Sequence, residues 1–370
     1  MHNMRLLVIT QFSALGGSSR IQVIQFFPFL KKAGIEYRHG TVYSDRFYRM
    51  QNGIVRVSRG RKTANFLAGM LAGFIKKAYW VCAVARYDAV LIQREVFPPS
   101  WYWIMRHLNP RIIYEIEDTI FEINPFWHRG SIHNMALRYQ ARGCRTMMRH
   151  AAHVIAENEY LAREARKHNR NVSLLTAPID TDRFTPGDKN RARDPSVIIG
   201  WIGSPGTSYL LKNLEPMFVA LGGRYPQMTV KAVGTAPDFT MAGFHFTSKN
   251  WTQEEELADL QSFDIGIMPL DDMPFNRGRL GYKMIQYMAV GLPVVAADVG
   301  LNRTVIRDGG NGFLAATDED WIQKLGLLIG DASLRTKMGE AGRRMARDQF
   351  SLLKQAQHLV GVIRLCIPNL

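Results

Sequence analysis

Residues 276–295 read NRGRLGYKMIQYMAVGLPVV, and they describe a helix that leads directly into a buried strand. A basic loop enters the helix, Gly291-Leu292-Pro293 ends it, and the apolar run that follows has the length of a strand. Helices that alternate with short apolar strands form parallel α/β sheets. The segment therefore predicts an α/β fold with a largely parallel sheet.

The same alternation continues on both sides of this segment and predicts two doubly wound domains. Between the two series of strands lies a stretch at residues 185–195 that is rich in turn formers and charge, which we interpret as a linker. We expect domains at residues 1–185 and 186–350, and a C-terminal helix at 351–370 that packs back toward the first domain. The predicted strands are residues 6–10, 37–41, 89–93, 111–116 and 152–156, and then 197–202, 229–234, 265–269, 293–296 and 312–315.

Length and composition agree with two globular domains. The chain has 370 residues, of which 46% are hydrophobic and 21% charged, which excludes a disulfide-stapled miniprotein and extended disorder. Cys82, Cys144 and Cys366 are scattered, without the paired spacing of a zinc or redox site, and predict reduced thiols in a cytoplasmic protein. The N-terminus runs straight into a strand, so we predict no secretory signal.

Positive charge is concentrated in the first half of the chain. Residues 1–185 hold 27 basic and 13 acidic side chains, a net charge of +14, whereas residues 186–370 hold 20 and 19. Such a field favours nucleic acid, an anionic membrane or a phosphorylated substrate, and the alternative is a merely soluble basic surface. The sequence has no helix-turn-helix, zinc finger or aromatic RNA-binding motif, so we predict no nucleic-acid partner.

The most apolar window, Phe66–Ile75, is about ten residues long, and we expect it to be too short for a span of roughly 20 residues. Lys76 and Lys77 follow it, and four basic residues precede it at Arg56, Arg59, Arg61 and Lys62. A basic, partly apolar helix of this kind predicts docking on an anionic membrane. The alternative is core packing, because Phe66, Met70 and Phe74 recur at helical spacing.

Glycine-rich loops follow the first strand of each series. Residues 11–20 read QFSALGGSSR and residues 198–208 read IIGWIGSPGTS. Glycines at a strand-to-helix turn let backbone N–H groups approach a phosphate or sugar, although tight turns explain them equally well. Neither loop has the G-x-G-x-x-G spacing or a Walker lysine, which excludes a dinucleotide or P-loop motif.

The start of the helix in residues 276–295 suits a diphosphate. Arg277, Arg279 and Lys283 add cationic side chains to the helix N-terminus, and Gln286, a little under one turn beyond Lys283, can bond a ribose. The alternative is an ordinary solvated helix start.

Taken in order, these segments resemble the GT-B glycosyltransferases of family 4. The resemblance implies two doubly wound Rossmann-like domains facing a cleft, a nucleotide-sugar donor held by the C-terminal domain and an acceptor held by the N-terminal domain. It also implies retention of anomeric configuration, with no required metal and no cofactor. The segments that carry it are residues 16–20, 178–186, 199–204, 263–270, 286–295 and 310–314.

The donor motif departs from the family pattern. Members commonly carry two glutamates separated by seven residues, and here the matching positions hold Gly278 and Gln286. Gln286 can still bond ribose hydroxyls, and candidates for the first contact are Arg277, Arg279 and Asp272. Leu280-Gly281 matches a step whose backbone N–H groups meet the diphosphate in the family. The resemblance gives these donor-binding candidates: Gly16, Gly17, Gly203, Ser204, Arg277, Arg279, Leu280, Gly281 and Gln286.

Three acids, Glu115, Glu117 and Asp118, end a first-domain strand where many relatives place a histidine facing the reacting sugar. Carboxylates there can orient an acceptor hydroxyl or stabilise charge at the anomeric carbon. Strand alternation puts Glu115 and Glu117 on one face and Asp118 on the other. The alternative is structural pairing with nearby arginines.

We therefore assign catalytic roles to Glu117, Asp118 and Lys283, and acceptor or sugar contacts to Ser18, Arg20 and Glu115. The function that we expect is metal-independent, retaining transfer of a sugar from a nucleotide-diphosphate sugar to a glycan or lipid-linked acceptor. We expect it to serve polysaccharide or cell-envelope glycan biosynthesis, in the cytoplasm or on the inner face of the membrane. The alternatives are a nucleotide-sugar epimerase or hydrolase, and an inactive basic protein that binds membranes or polyanions.

Overall fold

The computed structural model describes residues 4–51, 58–122, 131–187, 196–279 and 281–367. The chain forms two compact units. Unit 1 is Met1–Pro178 with Leu352–Leu370, and unit 2 is Ile179–Ser351. Residues 188–195 of the predicted linker, and Leu280, lie outside the described residues.

Each unit contains one six-stranded parallel sheet. The strands are β1 Met4–Thr10, β2 Ile35–Thr41, β3 Ala89–Gln93, β4 Ile112–Ile116, β5 His153–Ala156, β6 Val172–Leu174, β7 Val197–Ile202, β8 Met228–Val233, β9 His245–Lys249, β10 Ile265–Met268, β11 Val294–Ala297 and β12 Gly312–Ala315. The α-helices are α1 Gly17–Gln22, α2 Phe27–Lys32, α3 Asp45–Gln51, α4 Arg59–Ala83, α5 Pro99–Leu108, α6 Ser131–His150, α7 Glu159–Arg166, α8 Ser208–Lys212, α9 Glu215–Arg224, α10 Glu256–Gln261, α11 Pro274–Arg277, α12 Tyr282–Ala289, α13 Asn302–Val305, α14 Asp318–Gly330, α15 Ala332–Gln349 and α16 Leu352–Leu365.

Unit 1 has the strand order β2-β1-β3-β4-β5-β6, with helices on both faces. Because both faces are covered, its strands are continuous apolar runs rather than alternating ones. Leu7 and Ile9 of β1 pack toward α4, α5, α6 and α7, while Leu6 and Val8 pack toward α2 and α16. The C-terminal helix α16 thus contributes to the core of unit 1.

Unit 2 has the strand order β12-β11-β10-β7-β8-β9. Its core contains the fully buried rings of Trp201, Phe218 and Tyr287. The Tyr287 hydroxyl accepts a hydrogen bond from the Ile202 backbone N–H at 3.0 Å, which ties α12 to the end of β7. The predicted α/β fold class of two doubly wound sheets is confirmed.

Two edge strands and one helix differ from the sequence-based expectation. β6 and β9 were not predicted, because neither contains a buried apolar run. α4 is 25 residues long, and Thr63–Arg86, which extends beyond the ten-residue apolar window at both ends, is long and apolar enough to cross a membrane by length and composition. The expectation that this segment is too short for a span is therefore wrong.

Candidate functional site

Each sheet has a point where the strand order reverses, and ligands of open α/β sheets bind beyond the carboxyl ends of the strands at this point. In unit 1 the reversal lies between β1 and β3, which lead into the loop at residues 11–16 and into Arg94. In unit 2 it lies between β7 and β10, where β7 leads into Gly203 and Ser204. The predicted glycine loops therefore occupy both reversal points.

In unit 2, a lysine lies over a tryptophan ring at the start of α12. Lys283 Nζ is 4.6 Å from the centroid of the Trp201 ring, within the range of a cation–π contact. Gly203 makes room for this ring, since an added Cβ would lie 2.3 Å from a Trp201 ring atom. The Gly203 N–H donates to the Val233 carbonyl at 2.9 Å. The glycine thus serves the packing of the indole, and its amide is engaged within the sheet.

The side chains at this position are basic, and the charge of Lys283 depends on pH. Burial, and then the nearby Arg279 guanidinium, lower the pKa of Lys283 to about 7. Among the described residues no carboxylate forms an ion pair with Lys283. Bound phosphate would offset both the desolvation and the repulsion, so the geometry suits a diphosphate.

The other predicted donor-binding residues near Lys283 differ in exposure and in hydrogen-bond partners. Arg277 is exposed and holds Asp272 with two bonds, of 2.7 and 3.1 Å, so these two candidates engage each other. Gly281 caps α12 next to Lys283, and Leu280 is not described. Ser204 is exposed and its backbone N–H donates to a threonine hydroxyl three residues later at 3.3 Å, which closes a capping box.

Gln286 is buried beside a carboxylate that the sequence analysis missed. Its Nε2 donates to Glu256 Oε1 at 3.0 Å, and Trp251 Nε1 donates to the same oxygen at 3.1 Å. Glu256 lies on α10, in a run of three glutamates that has the pattern of a solvated face. A carboxylate therefore stands next to the position where the family motif has one, although it comes from a different helix.

In unit 1, an arginine with a left-handed backbone gathers the predicted acids. Arg94 follows β3 with φ of 58°, and its guanidinium lies 2.9 Å from Glu117 Oε1 and 3.1 Å from Asp118 Oδ2. β4 ends at Ile116, so strand alternation does not extend to these residues. The expectation that Glu117 and Asp118 occupy opposite faces is therefore wrong, and pairing with an arginine, the alternative, is observed.

Two more buried carboxyls complete this acidic cluster. Burial and neighbouring carboxylates raise the pKa of Glu115, and burial raises the pKa of Glu117 against the lowering effect of Arg94. Glu157, which was not predicted, follows β5, and the same causes raise its pKa although Gln22 donates to it. One guanidinium faces several carboxyls, so protonated carboxyls are favoured in the cluster, and these can donate as well as accept hydrogen bonds.

The first glycine loop adds one predicted residue to the acidic cluster. Arg94 Nη1 donates to the Ser18 hydroxyl at 3.4 Å, which brings Ser18 to the acids. Arg20 donates instead to a carbonyl of its own loop at 3.2 Å. Gly16 precedes α1, which begins at Gly17, and an added Cβ on Gly17 would meet open space.

Comparison with known proteins shows a family match within unit 2 and longer sequence similarities to curated enzymes. Residues 208–331 match the family model described as glycosyl transferases group 1. A D-inositol 3-phosphate glycosyltransferase of Nocardia farcinica is 44% identical over 69 residues, which cover 18% of this chain and 15% of that protein. The enzyme of the same name from Stackebrandtia nassauensis is 24% identical over 245 residues, or 56% of this chain and 51% of that protein. The chain thus aligns with about half the length, or less, of these curated relatives.

Solved structures match almost the whole chain at low identity. Anabaena HepE in complex with UDP has a TM-score of 0.66 and 14% identity, covering 98% of this chain and 100% of its own. Sucrose-phosphate synthase from Thermosynechococcus elongatus has a TM-score of 0.69 and 17% identity, covering 99% of each chain. These structures confirm the GT-B fold class, and the family model confirms the resemblance to group 1 glycosyltransferases.

Proposed function

We propose that this chain, a GT-B protein similar to group 1 glycosyltransferases over residues 208–331, transfers a sugar from a nucleoside-diphosphate sugar to an acceptor. The observation that carries the proposal is the cationic start of α12, where Lys283 lies over Trp201 at the strand-order reversal of unit 2. HepE, which shares the fold, binds UDP and UDP-glucose. These observations support a nucleotide-sugar donor in unit 2.

For the chemical step, we assign stabilisation of the departing diphosphate to unit 2. In this assignment the departing diphosphate would contact Lys283 and the N-terminal end of α12, and Arg279 would add to the positive field. The proposed reaction retains the anomeric configuration and needs no metal. The family resemblance supports these two features, and the reaction they describe calls for no covalent carboxylate.

We assign the acceptor to unit 1. Arg94 holds Glu117 and Asp118 at the strand ends. Burial and neighbouring carboxylates raise the pKa of Glu115 and so favour its protonated form, which can donate a hydrogen bond to an acceptor oxygen. The proposed acceptor is a glycan or a lipid-linked glycan of a polysaccharide or cell-envelope pathway. The proposed location is the cytoplasm, at the inner face of the membrane.

The first experiment is thermal unfolding of the purified protein against a panel of nucleoside diphosphates and nucleotide sugars. A donor at 100 times its dissociation constant stabilises by about 2.7 kcal/mol, which is about 5–10 °C for a domain of this size. We expect one nucleotide sugar to produce this shift in the wild type and not in Lys283→Ala.

A panel in which no nucleotide stabilises the protein would contradict the donor site. If a nucleotide sugar binds, incubation with and without glycan acceptors follows. Transfer to an acceptor supports the proposal. Rapid conversion of the donor without any acceptor would instead identify an epimerase or hydrolase.

A further inference from the structure

Helix α4 turns Gly69 and Gly73 toward unit 1 and a series of large apolar residues outward. Gly69 lies against the Phe47 ring, where an added Cβ would be 2.0 Å away, and Gly73 lies 2.7 Å from Tyr43 by the same measure. On the outside, Leu67, Leu71 and Ile75 are each more than 60% exposed. A surface helix of a soluble domain normally has the opposite arrangement, with its apolar stripe inward.

The outward residues of α4 form one continuous stripe. They recur at intervals of three and four positions, which places them on one side of the helix. The residues are Phe66, Leu67, Met70, Leu71, Phe74, Ile75 and Tyr79, all at least 41% exposed. The interpretation of this periodicity as core packing is therefore wrong for this stripe.

Two neighbouring helices extend the apolar surface. α4, α5 and α6 cover the same face of the unit 1 sheet, and the ring of Phe74 on α4 contacts the ring of Trp101 on α5, with 4.5 Å between centroids. Beyond this contact α5 exposes Trp103 and Ile104, and α6 exposes Tyr139. We call the exposed side of these three helices the outer face.

The three helices that form the outer face carry charged side chains of a single sign. The segments that form α4, α5 and α6 contain ten Lys and Arg residues and no Asp or Glu. Arg61, Arg138, Arg142 and Arg149 are exposed among them. The net charge of +14 in residues 1–185 has the same sign. An apolar surface with cationic surroundings complements a bilayer that has anionic headgroups.

The sheet shows that α4 lies along such a bilayer rather than across it. β2 precedes α4 and β3 follows it, and both strands pair with β1 in the same sheet. A helix that crossed a bilayer would leave these strands on opposite sides of it. Trp80 and Val81 of α4 are also buried in the core of unit 1.

We propose that the outer face docks unit 1 on an anionic lipid bilayer, with α4 parallel to the membrane plane. A second copy is a poorer occupant, because the exposed arginines of two outer faces would repel each other. The inference deepens the proposed function by naming the surface that meets a lipid-linked acceptor, and it rests on that function only for this role.

Vesicle co-sedimentation of the full chain tests the proposal without donor or acceptor. One set of vesicles is phosphatidylcholine alone, and the other contains about 30% phosphatidylglycerol, since anionic lipid supplies the electrostatic attraction. The variant Leu67→Ser/Leu71→Ser/Ile75→Ser removes the apolar stripe. The matched control is Leu353→Ser on α16, whose side chain is 54% exposed on the other face of unit 1.

We expect binding to the anionic vesicles, at least about tenfold weaker binding for the triple variant, and unchanged binding for Leu353→Ser. The double variant Arg138→Gln/Arg142→Gln should weaken binding by about fivefold per residue, and added salt should reproduce this loss. Thermal unfolding checks that the variants remain folded.

Three results would overturn the proposal. The first is that the protein binds neither type of vesicle. The second is that the triple variant binds as well as the wild type. The third is that the wild type forms a dimer in sedimentation analysis and the triple variant does not. Nucleotide-sugar binding, measured on the same samples by thermal shift, reports on the proposed function separately. A protein that binds the donor but not vesicles refutes only this inference.

Discussion

Replacing Lys283 by methionine tests whether this side chain holds the donor diphosphate through its charge. Methionine has a similar length and can remain over the Trp201 ring, so the change removes the ammonium and little else. Because no carboxylate is among the groups that shift the pKa of Lys283, its loss leaves no buried carboxylate unpaired. We expect Lys283→Met to unfold at about the wild-type temperature.

The expected loss of donor affinity follows from the charge state of Lys283. With a pKa of about 7 in the free protein, Lys283 is about nine-tenths protonated near pH 6 and about one-tenth protonated near pH 8. The bound diphosphate requires the protonated form, so donor affinity falls about tenfold between these pH values. A hydrogen bond to a charged group contributes about 1.5–3 kcal/mol, so Lys283→Met should bind about 10- to 150-fold more weakly near pH 6.

Calorimetric titration of the nucleotide sugar near pH 6 and pH 8 measures both effects. The sugar diphosphate itself does not change charge in this range, so the pH dependence reports on the protein. The control is Lys337→Met, which removes an exposed lysine on α15 of the same unit. We expect the ratio of the Lys283→Met dissociation constant to the wild-type dissociation constant to fall about tenfold from pH 6 to pH 8. Affinity that does not depend on pH in the wild type, or an equal loss in Lys337→Met, would refute the reasoning.

Three further substitutions test the packing and charge of the two units by thermal unfolding. Gln286→Glu places a carboxylate against Glu256, so it should lower the unfolding temperature near pH 8 and less near pH 5; equal losses would contradict this repulsion. The raised pKa of Glu157 means that the folded protein keeps a proton which the unfolded chain releases above about 4.5, so stability falls as pH rises through this window. Glu157→Gln should therefore raise the unfolding temperature at neutral pH and flatten its pH dependence, and an unchanged profile would argue against it. Gly203→Ala should lower the unfolding temperature and weaken donor binding about tenfold or more, whereas Gly206→Ala, whose added Cβ meets open space, should change neither.

The central strands could be predicted because a buried strand has a continuous apolar run in its own sequence. Leu6, Leu7, Val8 and Ile9 are all fully buried, and a continuous apolar run of this kind is typical of a strand covered on both faces. The edge strand β9 has exposed and half-buried side chains, so its pairing leaves no apolar run. Its position depends on the neighbouring strand β8, which local sequence does not contain.

Helix α4 shows a second limit of sequence patterns. Periodicity identifies an apolar stripe, but it does not tell whether the stripe faces the core or the exterior. That choice depends on Gly69 and Gly73, which permit close contact with the aromatic rings of Phe47 and Tyr43. The rings belong to a different segment, so the inverted orientation emerges only in the folded chain.

The residues of the candidate site also differ in whether local sequence predicts them. Lys283 could be predicted because its position at a helix start is a local property. Glu256 and Arg94 could not, because Glu256 meets Gln286 across 30 positions and Arg94 meets Glu117 across 23. Contacts between different strands and helices leave no periodic signal in the sequence.

The pairing of Gln286 with Glu256 gives a physical account of the altered donor motif. A glutamate at position 286 would place a second carboxylate within hydrogen-bond distance of Glu256, and one of the two would have to take up a proton. Glutamine instead donates to Glu256 Oε1, and Trp251 donates to the same oxygen, which fixes the carboxylate. Among the described residues both of these hydrogen bonds end on Oε1, so Oε2 can accept a hydrogen bond from a ligand hydroxyl. The carboxylate that the family motif has on α12 is thus supplied from α10, and glutamine at position 286 pairs with it through a hydrogen bond instead of repelling it.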